Sequence, residues 1–214
     1  MAQPCRILVL ISGGGSNLQA IMDTVDDNPQ AEVVGVISHN PNAYGLIRAH
    51  INEINTSCII PHQNETRIEY DKRLSIAIDK YQPDLIVLAG FMRILSDDLV
   101  LQYEGKMLNI HPSLLPKYTG LHTHQSVLDS DDKEHGASVH FVIPKLDAGP
   151  VILQAKVPVY EDDSVDTLAA RVYEQEHAIY PIVIKWFSLG RLNMRSNQAY
   201  LDDKCLPING YAPD

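Results

Sequence analysis

The sequence predicts an α/β protein, one domain with an open, mostly parallel sheet, helices on both faces and an antiparallel edge in the C-terminal half. Three observations lead there. Short continuous apolar runs alternate with helical patterns through the first half, as strands covered on both faces require. A glycine-rich loop follows the first run. Two longer strand patterns in the second half adjoin with no helix between them.

Taken in order, Ile7 to Ile11 is a short apolar run, and Ser12 to Ser16 separates it from the amphipathic Asn17-Leu18-Gln19-Ala20-Ile21-Met22. Val33 to Ile37 is a second buried strand, followed by a helix from about Tyr44 to Asn52 and a short strand from Ser57 to Ile60. A helix over Arg67 to Tyr81 and a strong strand over Leu85 to Ala89 come next. Met107 to His111 alternates with the period of two that marks a strand. Glu134 to Val142 and Val151 to Val159 are the longer strands, joined through Pro144 to Pro150. Ser164 is placed to cap a final helix reaching about Leu189, with Gly190 closing it. No linker, repeat or low-complexity tract divides the chain, so residues 1–214 read as one domain of two halves, about 1–105 and 106–192, with a tail over 193–214.

With 45% hydrophobic and 21% charged residues in 214, the chain can bury a sizeable core. No apolar run approaches the ~20 residues that cross a bilayer, and the N-terminus lacks a signal peptide's apolar region. The expected compartment is the cytoplasm, with no membrane partner. Cys5, Cys58 and Cys205 are odd in number and show no CxxC spacing, so neither a disulfide framework nor a zinc knuckle is indicated. A net charge of −10 repels polyanions and no basic stripe offsets it, which argues against a nucleic acid partner. Oligomeric state is not readable from the pattern.

The loop Ile11-Ser12-Gly13-Gly14-Gly15-Ser16-Asn17 sits between strand and helix, where backbone N–H groups and the positive helix end receive an anion. A structural tight turn would also use triple glycine, but the context favours phosphate. Leu18 replaces the third glycine of a dinucleotide fingerprint, strand two ends in Ser38-His39-Asn40 without a ribose-binding acid, and no Lys-Ser/Thr ending marks a triphosphate loop. A monophosphate fits best.

Asn109 and His111 are two apart at the end of a strand, so their side chains share a face. Asp147, in Leu146-Asp147-Ala148-Gly149-Pro150, supplies a carboxylate that a turn can fold back against them. An amide donor, an imidazole and a carboxylate suit acyl transfer. A cationic His111 beside a carbonyl stabilises a tetrahedral oxyanion and Asn109 adds a donor, one such donor supplying ~3 kcal/mol. Asp147 stabilises the imidazolium, directly or through a water accepts a proton, and so raises the His111 pKa from its free value of ~6.5. Any one of the three alone reads as an ordinary turn residue; their combination does not.

His122-Thr123-His124 and His140 raise the question of a metal, but no HExxH or cysteine pair supports one, and no metal is expected. His124 reads as near a helix start. His140 lies in a strand and either faces the site or is a satisfied core residue. In the last helix Val165, Ala169, Val172, Ile179, Val183 and Trp186 follow spacings of four and three, and Glu176 falls on the same buried stripe. A buried carboxylate needs a cation or a polar cleft, and a substrate amine would serve.

These motifs together resemble the phosphoribosylglycinamide formyltransferase family. The resemblance rests on the glycine loop, on Leu88-Ala89-Gly90-Phe91-Met92-Arg93-Ile94-Leu95-Ser96, on Asn109 through Tyr118, on His135-Gly136-Ala137-Ser138-Val139-His140, and on Gln175-Glu176-His177-Ala178-Ile179-Tyr180-Pro181. It spans Arg6 to about Tyr211. It implies a Rossmann-like, phosphate-binding half and a catalytic, folate-handling half. It further implies that Gly15, Ser16 and Asn17 hold a ribotide phosphate and that Glu176 contacts the glycinamide end. Arg67, Met92, Arg93, Ile94 and Leu95 would line the folate site, with Asn109 and Asp147 beside it. Asn109, His111 and Asp147 would be the catalytic trio, His111 the general acid. The implied co-substrate is 10-formyltetrahydrofolate, used without metal. Gly14 stands where relatives often carry Asn, and Thr119 where they often carry Pro; both imply small loop changes. A cis Leu115-Pro116 bond is compatible with such a turn. Hydrolysis of the formyl folate and a non-catalytic nucleotide-binding module are the competing readings; the first needs neither the phosphate loop nor Glu176, and the second needs no catalytic trio.

Overall fold

The computed structural model describes residues 3–25 and 28–211. Its elements run β1 (Cys5–Ile11), α1 (Ser16–Val25), β2 (Ala31–Ser38), α2 (Tyr44–Ile51), β3 (Thr56–Cys58), α3 (Arg67–Tyr81), β4 (Leu85–Leu88), α4 (Asp97–Gln102) and β5 (Met107–His111). There follow α5 (Thr123–Leu128), β6 (Glu134–Phe141), β7 (Val151–Pro158), α6 (Val165–Ser188), β8 (Leu192–Arg195), β9 (Gln198–Leu201) and β10 (Lys204–Cys205). A seven-stranded sheet has the order β3-β2-β1-β4-β5-β6-β7, and a separate three-stranded sheet the order β10-β9-β8. The fold is thus α/β and Rossmann-like, mostly parallel with an antiparallel β6-β7 edge. Contacts group residues 1–108 and 109–214 into two compact units, the boundary falling inside β5.

In the first unit β1 pairs in parallel with β2 on one side and β4 on the other. Ile7 through Ile11 are fully buried, which is why this strand reads as a continuous apolar run. Because the chain moves from β1 to β2 and β3 and then returns to β4 on the far side, the order switches at β1-β4. Loops leaving the C-terminal ends of such neighbouring strands form the usual ligand crevice of an open sheet. α3 starts from a capping box in which Thr66 Oγ1 accepts the Glu69 N–H and Glu69 accepts the Thr66 N–H. The short helix α4 was not anticipated; Ser96 as N-cap before Asp97 and Asp98 was its signal.

In the second unit β6 and β7 pair antiparallel from Glu134↔Pro158 to His140↔Val151. Ser164 caps α6 as expected, its Oγ accepting the Thr167 N–H, and Gly190 follows at φ 70°. The stripe differs from expectation at its ends. Val165 is exposed and Trp186 half-buried, while Leu168, Val172, Glu176, Ile179, Tyr180, Val183 and Ile184 are buried. A strict alternation of four and three has a period of 3.5, and a straight helix drifts off it by about 20° per heptad, so the two ends rotate away. Residues after Arg191 are no mere tail: they form β8, β9 and β10. Ser196-Asn197 and Asp202-Asp203, all at positive φ, make two-residue hairpin turns between those strands. Among the described residues no helix is long and apolar enough to cross a membrane.

Candidate active site

In the first unit the chain leaves β1 at Ile11 and turns through Ser12 to Gly15 into α1. Gly15 stands at φ 71°, and a Cβ there would lie 2.7 Å from the Gly45 Cα, so glycine alone lets the loop run against the start of α2. Ser16 is the first residue of α1 and Asn17 is buried behind it. Ser12 Oγ accepts the Met92 backbone N–H at 2.7 Å and lies 3.2 Å from His39 Nδ1. These contacts tie the glycine loop to the segment that follows β4. There Leu95 is buried, whereas Met92 and Ile94 are 68% and 59% exposed. The Arg93 guanidinium carbon sits 4.0 Å from the centre of the Tyr70 ring, a cation–π contact. Burial, then the Arg93 charge, lowers the His39 pKa. Arg67 opens α3 and is exposed.

In the second unit Asn109 and His111 lie on β5, as predicted two residues apart. The buried His111 is 3.6 Å from Asp147, Nδ1 to Oδ2. That is an ion-pair distance, too long for a hydrogen bond. On its other side His111 Nε2 lies 2.9 Å from the Tyr118 carbonyl oxygen, which can only accept, so Nε2 carries a proton. Asp147 Oδ2 accepts the Gly120 N–H at 2.8 Å, and Asp147 itself is held at φ 50°. Non-glycine residues at such φ are uncommon and gather at functional sites; Tyr118 and His122 share the feature, at φ 53° and 60°.

His140 answers the question left open by sequence: it does both things. Its Nδ1–H donates to the Phe141 carbonyl at 2.9 Å, leaving Nε2 to accept from the Asn109 amide Nδ2 at 3.1 Å. Full burial pushes the His140 pKa down to about 4, with the Phe141 bond opposing it, so the ring is neutral and this tautomer is fixed. The Asn109 amide is thereby oriented, with its second N–H still to offer.

The sequence did not show the contacts that several groups around this cluster make. Tyr118 and Gly120 act through their backbones, and the Tyr-x-Gly spacing is too common to mark them. His124 Nδ1 is 3.0 Å from His135 Nε2, and burial lowers both, His135 to about 4. Ser138 Oγ donates to the Ser113 carbonyl and accepts from the Leu115 N–H and from Gln154 Nε2, pinning the loop that carries the cis Leu115-Pro116 bond. Glu176 lies buried on α6, on the stripe where it was expected. Among the described residues no group of three or more His, Cys, Asp or Glu side chains is arranged to hold a metal ion.

The family model for formyl transferases matches residues 5–184. The phosphoribosylglycinamide formyltransferase of Escherichia coli strain K12 is 56% identical over 210 residues, covering 98% of this chain and 99% of its own. That of Haemophilus influenzae is 47% identical over 208 residues, covering 97% and 98%. The solved phosphoribosylglycinamide formyltransferase of Coxiella burnetii superposes with a TM-score of 0.92 at 48% identity, covering 97% of this chain and 98% of that one. Matched in sequence over nearly its whole length and in fold, the chain belongs to the formyl transferase family, of which the motifs around Gly15, Asn109 and Glu176 gave the first sign.

Proposed function

We propose that this protein transfers the formyl group of 10-formyltetrahydrofolate to the primary amine of glycinamide ribonucleotide, giving formylglycinamide ribonucleotide and tetrahydrofolate, a cytoplasmic step of purine biosynthesis. The observation that carries the reading is the His111 imidazole, buried with the Tyr118 carbonyl at Nε2 and the Asp147 carboxylate near Nδ1. Acceptors flanking both ring nitrogens suit a doubly protonated ring.

The substrate amine attacks the formyl carbon and its carbonyl oxygen takes up negative charge. The free N–H of Asn109 and the His111 imidazolium stabilise that oxyanion. Nδ1 lies beyond hydrogen-bond range of Asp147, so its proton is the one His111 can pass, as general acid, to the departing folate nitrogen. Asp147, directly or through a water, takes the proton that the amine loses. The C–N bond to the folate breaks as the new amide forms, and no electrons change hands overall.

Gly15, Ser16 and Asn17 hold the ribotide phosphate at the α1 N-terminus, and Glu176 meets the glycinamide end. Arg67 and Met92 through Leu95 line the folate site; the exposed Met92 and Ile94 side chains offer apolar surface to a flat ring. A net charge of −10 further favours small-molecule substrates over a nucleic acid.

The test is turnover of 10-formyltetrahydrofolate, followed by the absorbance of the folate product, with and without glycinamide ribonucleotide. Ribotide-dependent turnover is expected, falling about 10³-fold in His111→Ala and markedly in Asp147→Asn. Ribotide-independent folate release would instead show a hydrolase, and folded variants with full activity would remove the trio from the mechanism.

A further inference from the structure

The glycine loop is held by more than its own glycines. Four successive carbonyl oxygens each have a donor: Ser12 O accepts from Asn40 Nδ2 at 3.2 Å, Gly13 O from the Gly45 N–H at 3.0 Å, Gly14 O from Arg48 Nε at 2.9 Å, and Gly15 O from the Gln19 N–H at 3.0 Å. A trans peptide points its C=O and the next residue's N–H in opposite directions. Each of these bonds therefore turns an N–H, from Gly13 to Ser16 in succession, away from the brace. A carbonyl oxygen facing a phosphate would repel it; here the oxygens are turned aside and occupied.

Two of the four donors come from α2, and Arg48 is the one that is charged. Its guanidinium also reaches Gln19 Oε1 through Nη1 at 3.2 Å, and its central carbon lies 5.0 Å from the centre of the Tyr44 ring. Half-buried and held at three points, Arg48 gives Nε and Nη1 to the protein and lays its plane near the Tyr44 ring. Gly45 is as constrained: a Cβ there would come 2.4 Å from Ile11 Cδ1 and 3.2 Å from the Gly15 Cα, pushing α2 off the loop.

We infer that Arg48, with Gly45, is a positioning residue for the ribotide phosphate: it binds the Gly14 carbonyl so that the loop presents N–H groups rather than oxygens. The inference rests on the reading of this loop as the phosphate site. Removing Arg48 leaves the Gly14 carbonyl without its donor and frees the Gly14–Gly15 peptide to rotate, and a charge-assisted hydrogen bond is the strongest of the four that hold the loop.

The experiment measures, by calorimetry on the whole chain, the affinity for glycinamide ribonucleotide and for its dephosphorylated riboside in the wild type, Arg48→Met and Arg48→Lys. The ratio of the two affinities isolates the phosphate, and general destabilisation does not move it. We expect the wild type to favour the ribotide strongly, Arg48→Met to cut that preference about tenfold and Arg48→Lys to recover part of it, since a lysine can still donate to Gly14 O. In turnover, Arg48→Met raises KM for the ribotide by a similar factor and leaves kcat and the folate KM within about twofold. A wild type that discriminates while Arg48→Met keeps the same ratio overturns the positioning role and leaves the phosphate site standing. A wild type that binds both ligands equally overturns the phosphate site, and this inference with it.

Discussion

In the first unit the groups that the proposed phosphate loop offers belong to the backbone. The peptides of Gly13 to Ser16 are aimed by bonds to their carbonyls, and the fit depends on Gly15 and Gly45 having no side chains. In the second unit the groups proposed for catalysis are side chains, Asn109, His111 and Asp147, each aimed by one partner: His140, Tyr118 and Gly120. The first arrangement is steric and insensitive to protonation. The second is assembled from three loops and strands and depends on which nitrogen of each imidazole carries a proton. A site built from peptides fails by collision; one built from imidazoles fails by misdirection or by charge.

The sharpest way to break that distinction is His140→Leu. The substitution removes the acceptor that orients the Asn109 amide while leaving Asn109, His111 and Asp147 in place. If the second unit works by aimed side chains, kcat falls about tenfold, a part of the ~3 kcal/mol that losing an oxyanion donor outright costs. KM for both substrates stays within about twofold, as steady-state kinetics would show. An unchanged kcat would mean that Asn109 is held without His140.

The same contrast explains what was legible in the sequence. Strands β1, β2 and β4 were legible to within two residues because burial on both faces writes a continuous apolar run, and the loop's place because triple glycine breaks the pattern between strand and helix. Asn109 and His111 were legible together because period two is visible in a single strand. Tyr118 and Gly120 were not, since a backbone carbonyl or N–H is the same on any residue. The second sheet was missed for a related reason: its turns, Ser196-Asn197 and Asp202-Asp203, reach positive φ without the glycine that usually announces such a hairpin. Asn and Asp tolerate that region but do not advertise it.

Acid should separate the two units next. Burial holds His135 and His140 down at about 4, whereas histidines of an unfolded chain titrate near ~6.5. Below that higher value the unfolded chain binds protons that the native one refuses. The associated stability is therefore complete above about pH 6.5 and is lost progressively as pH falls toward 4. In the first unit His39 is lowered too, but it is only half-buried, so a smaller loss is expected there. Hydrogen exchange from pH 7 to pH 4.5, corrected for intrinsic rates, should show protection falling further in β6 than in β1. Equal losses in both would place the acid sensitivity elsewhere than in the buried imidazoles.

The smallest effect expected is the most specific about the first unit. Gly14 stands between two peptides of the proposed phosphate loop, one residue from Gly15, yet the two glycines differ. A Cβ at Gly14 meets no atom within 4 Å and its φ lies outside the left-handed region, whereas Gly15 is both left-handed and pressed against Gly45. What the loop requires of Gly14 is its carbonyl, already bound by Arg48, and any residue supplies a carbonyl. Gly14→Asn should therefore leave the ribotide KM within about twofold and raise stability by up to ~1 kcal/mol, because the unfolded chain gives up less freedom on folding. Ribotide kinetics and a denaturant melt measure both. If KM instead rises tenfold, the ligand approaches the Gly14 backbone closely enough for a side chain to obstruct it, and the loop works by contact at Gly14 as well as by the direction of its peptides.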